Sequence, residues 1–115
     1  MSITIYHNPR CSKSRQTLTL LEEKGVAPKV VHYLDSPPSE SELKAILDKL
    51  GMAPRELMRK AEEPYKDLQL DEPDRNEAAL IKAMVENPIL IERPIVVNGA
   101  KAAIGRPPEA VLDIL

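Results

Sequence analysis

The chain contains a single cysteine, Cys11, in the stretch YHNPRCSKSR over residues 6–15. An inert structural cysteine usually sits in an apolar run. Here Arg10, Lys13 and Arg15 flank the thiol, with Ser12 and Ser14 between them. The thiolate, not the thiol, is the nucleophile, so its pKa decides reactivity. Asn8-Pro9 reads as a turn leading into a helix, and the N–H groups at a helix start carry partial positive charge. Ser14, one helical turn on, is placed to aim its hydroxyl at the sulfur. Arg10, Lys13, Arg15 and a protonated His7 add positive potential. Together these features are expected to bring the Cys11 pKa from about 8.5 into roughly the 5–7.5 range. Cys11 therefore reads as a nucleophile, with Ser14 and His7 as candidate tuning groups.

The motif CSKS places Ser14 where a C-x-x-C redox pair would carry its second thiol. With one cysteine the chain cannot form its own active-site disulfide, and an external thiol must act as resolving partner. A low-molecular-weight phosphatase loop would need arginine six residues after the nucleophile, where this chain has Thr17. The same helix start is also an anion site, because its N–H groups converge there. Arg59 in ELMRKAEEPY, Arg93 in IERPIVV and Arg106 in IGRPP lie at element boundaries and are candidates to complete it. Arg93 and Arg106 each precede a proline, which favours extended backbone at the arginine. Pro94 is a candidate cis-proline. No His/Cys cluster has metal-ligand spacing, so no metal is expected.

These groups must be held by a small scaffold. At 115 residues the chain is expected to form one domain, 1–115. That is long enough for a core without disulfide or metal support. A net charge of −2 and pI of about 5.7 argue against nucleic acid as the main partner, and three tyrosines with no Phe or Trp argue against base stacking. No long uncharged run suggests a membrane span. MSITIYHNPR does not read as a signal peptide, so a cytoplasmic location is expected.

ITIY (3–6) reads as a strand ending at Asn-Pro. Cys11, Ser14, Leu18 and Leu21 share a helical face, with Gly25 as a stop. KVVHYL (29–34) reads as a second strand and DSPPS as a breaker. Ser39 and Glu42 form a capping-box pattern before a helix bearing Leu43, Ile46, Leu47 and Leu50. Short helical pieces fill 53–75, and Asn76 is placed to cap EAALIKAMVE. PIVV, Asn98-Gly99 and KAAI read as a hairpin with a two-residue turn, and PPEAVLDIL closes as a helix. The order β-α-β, helical insertion, β-β-α predicts an α/β fold: a small mixed sheet flanked by helices, with its first two strands parallel and its last two antiparallel.

The segments IYHNPRCSKSR, HYLDSPP, RKAEEPY, NPILIERPIVV and RPPEAVLDIL, taken together, resemble the arsenate reductase (ArsC) family that uses glutathione and glutaredoxin. The resemblance runs from residue 3 to 115. RCSKSR is nearer to chromosomal arsenate-reductase-like members, because Arg10 and Lys13 stand where other members carry small or neutral residues. The chain ends at DIL, where plasmid-borne reductases continue with a polar tail. A regulator branch that binds RNA polymerase is a more distant likeness. The resemblance implies a thioredoxin-like fold with a helical insertion, roughly 39–87. It implies Cys11 as nucleophile, Arg59, Arg93 and Arg106 as oxyanion ligands, and His7 and Ser14 as groups tuning the thiolate.

The activity so implied is reduction of arsenate to arsenite, with glutathione as co-substrate, glutaredoxin as partner and no tightly bound cofactor. Two alternatives keep the thiol but change its use. One is a glutaredoxin-like monothiol oxidoreductase; the other is a non-catalytic, redox-sensing interaction module. Neither needs guanidinium groups gathered at the sulfur.

Overall fold

The computed structural model describes residues 3–115; the first two residues of the expected domain lie outside the described ones. By internal contacts the chain divides into two compact units, Met1–Ser36 with Arg93–Leu115, and Pro37–Glu92. The span expected to be inserted, roughly 39–87, lies within the second.

The first unit holds a four-stranded mixed sheet of order β2-β1-β3-β4. Strand β1 (Ile3–His7) leads into helix α1 (Ser12–Glu23), and β2 (Lys29–His32) returns parallel to β1. Strands β3 (Ile95–Asn98) and β4 (Lys101–Ile104) form an antiparallel hairpin, with β3 also antiparallel to β1. This is the thioredoxin-like arrangement. Ile5 and Val96 are directly paired and face one cluster with Leu21 of α1 and with Val111 and Ile114 of the C-terminal helix. All but Ile114 are fully buried. At roughly 1.5–3 kcal/mol for each such side chain, this cluster fixes α1 on the sheet, and with α1 the cysteine at its start.

Three local expectations are corrected. The second strand stops at His32 rather than Leu34, because the N–H groups of Asp35 and Ser36 both donate to the His32 carbonyl and close a turn. The hairpin turn is Gly99-Ala100, not Asn98-Gly99, since Asn98 pairs with Lys101. Asn98 is buried, and its Nδ2 donates to the Ile114 carbonyl, so it ties the C-terminal segment to the sheet. Gly99 takes the positive φ of the turn, +60°. The C-terminal segment Pro108–Ile114 is a 3₁₀ helix rather than an α-helix. Its first turn closes through Ala110 N–H to the Pro107 carbonyl, an i→i+3 bond, because Pro107 and Pro108 offer no N–H groups.

The second unit is helical: α2 (Glu40–Leu50), α3 (Pro54–Leu57), α4 (Glu63–Asp67), α5 (Glu77–Glu86) and a 3₁₀ turn at Pro88–Leu90. Ser39 Oγ accepts from Glu42 N–H while Glu42 Oε1 accepts from Ser39 N–H, forming the expected capping box. Asn76 caps α5 by accepting from Ala79 N–H. Leu43, Leu47, Leu80 and Met84 are buried in this unit.

Candidate active site

Asn-Pro after β1 forces the chain out of the sheet and turns it into α1. Cys11 is the N-cap of that helix, with extended backbone (φ −91°, ψ 123°). Its N–H donates to the Asn8 carbonyl, and Asn8 Oδ1 in turn accepts from Arg10 N–H. The loop 8–11 is thus closed on itself. Sequence reasoning did not single out Asn8 as a site residue; its signal is the Asn-Pro pair at a strand end, where an asparagine side chain folds back onto the chain.

The Cys11 thiol is half-buried, and its pKa is lowered. Burial acts to raise it, but is outweighed by the Ser14 N–H, the Arg93 side chain, the Lys13 N–H and the charge of Arg106. The helix start therefore acts as expected, through backbone N–H groups. The cations differ from those expected. Arg93 and Arg106, from the far end of the sequence, supply them rather than the neighbours Arg10 and Arg15. The antiparallel hairpin β3–β4 brings both to the sulfur. Arg106 Nη2 lies 3.4 Å from Cys11 Sγ, and Arg106 Nε donates to the Arg93 carbonyl at 2.8 Å, which orients the fork. Both X-Pro bonds at these arginines, Arg93-Pro94 and Arg106-Pro107, are cis.

Ser14 is placed differently from the sequence expectation. It is fully buried, and its hydroxyl lies 2.6 Å from His7 Nδ1 while accepting from Asn8 N–H at 3.0 Å. What Ser14 offers the sulfur is its backbone N–H. His7 is the buried last residue of β1, and its pKa is lowered by burial first, then by the charges of His32 and Arg15. It stands neutral at physiological pH and adds no positive charge to the site. The parallel register pairs His7 with His32, their rings edge-on with centroids 6.0 Å apart.

Gly105 is a second residue that sequence reasoning passed over. A Cβ there would collide with Thr17 Oγ1 and lie 2.8 Å from Pro94 Cγ. The absence of a side chain lets the Arg106 loop close down on α1 beside the sulfur. The Gly before Arg-Pro was the available signal.

Arg59 belongs to the helical unit. There its guanidinium donates to Glu62 Oε2 at 3.2 Å and to Glu92 Oε1 at 2.9 Å. Burial acts to lower its pKa, but the two carboxylates win and raise it. Among the described residues no group of His, Cys, Asp and Glu is arranged to hold a metal ion, and no helix is long and apolar enough to cross a membrane.

A thiolate beside two guanidinium groups suits attack on an anionic electrophile, and this chain is similar to several known proteins. A protein of Haemophilus influenzae named arsenate reductase is 56% identical, with all of each chain covered. A protein of Escherichia coli K12, named uncharacterized protein YfgD, is 58% identical over 98% of this chain and 96% of its own. The solved structure of an arsenate reductase from Vibrio cholerae superposes with a TM-score of 0.97 at 54% identity, covering 100% of this chain and 98% of that one. The sequence pattern of the ArsC family matches residues 6–114, nearly the whole chain and every element of the cysteine site, so the chain belongs to the ArsC family.

Proposed function

We propose that the protein reduces arsenate to arsenite, with Cys11 as nucleophile and with glutathione and glutaredoxin as reductants. The observation that carries this reading is the Arg106 guanidinium 3.4 Å from Cys11 Sγ. It supports a thiolate before reaction and an oxyanion during it. Arg93 acts beside it, since planar guanidinium forks match tetrahedral oxyanions. For Arg59 the role of oxyanion ligand rests on the family resemblance alone.

In the proposed sequence the Cys11 thiolate attacks arsenic and an As–O bond breaks, with the oxygen leaving as water after protonation. A glutathione thiol displaces a second hydroxyl as water. A glutaredoxin thiolate then attacks the glutathione sulfur. The S–As bond pair passes to arsenic, which goes from As(V) to As(III), and the glutathione leaves as a mixed disulfide on glutaredoxin. Hydrolysis of the remaining S–As bond releases arsenite and returns Cys11. A lone reduced thiol suits a cytoplasmic setting.

The test is a coupled assay with arsenate, glutathione, glutaredoxin and a reductase for oxidised glutathione. Arsenate-dependent consumption of reductant that needs all the components is the expected result. Turnover supported by thioredoxin in place of glutathione and glutaredoxin would overturn the reductant assignment. Absence of turnover with either system would overturn arsenate as substrate.

A further inference from the structure

A groove of about 660 Å³ runs between α1 and the start of the C-terminal helix. Each wall begins one residue past a member of the Cys11–Arg106 pair. On one side Ser12 follows Cys11; on the other Pro107 follows Arg106, whose Nη2 touches Sγ. Along α1 the wall runs from Ser12 to Glu23, about 16 Å at the helical rise. A tetrahedral oxyanion needs none of that length. The volume falls in the range of sites for small organic ligands, and an extended tripeptide spans about 10 Å.

The chemistry of the walls narrows the ligand. Lys13 and Arg15 supply positive charge to the walls, and Glu23 and Glu109 supply negative charge. Gln16 and Thr19 also line the groove, with Leu20 as an apolar patch. A surface carrying cations, carboxylates and amide donors fits a dipolar peptide better than a simple anion. CSKS lacks a resolving cysteine, so the second thiol of the reaction has to arrive from outside and next to Cys11.

We propose that this groove seats the reducing co-substrate, a small dipolar peptide thiol of the glutathione class, with its sulfur at the Ser12–Pro107 end. The inference rests on the reading that a free thiol resolves the Cys11 adduct. It is tested by a reaction that involves no arsenate.

The measured step is thiol–disulfide exchange. The Cys11 thiolate attacks one sulfur of oxidised glutathione, the S–S bond breaks, a Cys11–glutathione disulfide forms, and a glutathione thiolate leaves with the bond pair. The rate with oxidised glutathione is divided by the rate with 2-hydroxyethyl disulfide, a neutral compound too small to need the groove. Two variants alter the groove away from the sulfur. Thr19→Trp fills its middle, and Gln16→Glu adds a repelling carboxylate. The alkylation rate with iodoacetamide reports whether Cys11 itself is unchanged. The ratio is expected to fall about five-fold or more in each variant, the size of one lost polar contact. A ratio equal to wild type in both overturns the proposal. So does an unchanged ratio with slower removal of glutathione from Cys11 by glutaredoxin, which would make the groove a docking face for a protein. If instead the arsenate assay shows no turnover while the ratio falls, the groove stands and the arsenate reading does not.

Discussion

His7 Nδ1 and Ser14 Oγ lie 2.6 Å apart, and the same oxygen accepts the Asn8 N–H. All three groups belong to buried residues, so the serine hydroxyl is held between the end of β1 and the loop that follows it. The serine oxygen is thereby committed to the strand end and the loop, and the sulfur draws on the Ser14 backbone N–H instead.

Ser14→Ala should therefore barely move the Cys11 pKa, because the backbone donor survives. It should destabilise the fold by about 1–3 kcal/mol, the cost of leaving buried partners unmatched. Chemical denaturation measures the second effect. The pH dependence of iodoacetamide alkylation, read from the one cysteine, measures the first. A rise in the alkylation midpoint with no loss of stability would restore a hydroxyl–sulfur bond.

Arg106→Lys keeps the charge but loses the fork that joins the Arg93 carbonyl to Cys11 Sγ. The alkylation midpoint, expected below the free-cysteine value of about 8.5 in the wild type, should rise. Turnover with arsenate should fall about ten-fold or more, as for a lost charge-assisted contact. Arg93→Lys should act in the same direction. Wild-type kinetics and midpoint in both variants would make these arginines bystanders. Arg59→Lys, assayed beside them, decides whether the resemblance extends to that residue.

Cys11→Ser should abolish turnover. A serine hydroxyl has almost no anionic fraction at neutral pH, and the nearby groups are hydrogen-bond donors rather than a base. Appreciable arsenate-dependent consumption of reductant in this variant would exclude the covalent route.

His7 gives the fold a pH dependence. Its folded pKa lies below the ordinary 6.5 because burial, His32 and Arg15 all oppose its charge. As pH falls below 6.5 the unfolded chain takes up a proton that the folded chain refuses, so ν_U exceeds ν_N and stability drops. Well above 6.5 the group is neutral in both states and contributes no slope. Denaturation midpoints measured from pH 7.5 down to 5.0 should decline in the wild type and decline less in His7→Gln. Parallel curves for the two proteins would mean that His7 titrates as freely as in the unfolded chain.

The sequence alone determined the features that depend on neighbours along the chain. The β1–α1 turn at Asn8-Pro9, the Ser39 capping box, the Asn76 cap and the position of Cys11 at a helix start follow from hydrogen bonds spanning three or four residues. The parallel β1–β2 pair and the β3–β4 hairpin followed from element order and strand pattern. Tertiary structure decided what lies around the sulfur. Charges near Cys11 in the chain looked like its electrostatic partners, but a helix start points successive side chains in different directions. The groups that reach the sulfur, Arg93 and Arg106, are brought there by the antiparallel pairing of β3 with β1. The same holds for Ser14. Helical spacing placed it one turn from the cysteine, while the direction of its hydroxyl was set by His7 at the end of a strand and by the Asn8 N–H, a choice between partners that spacing alone does not make.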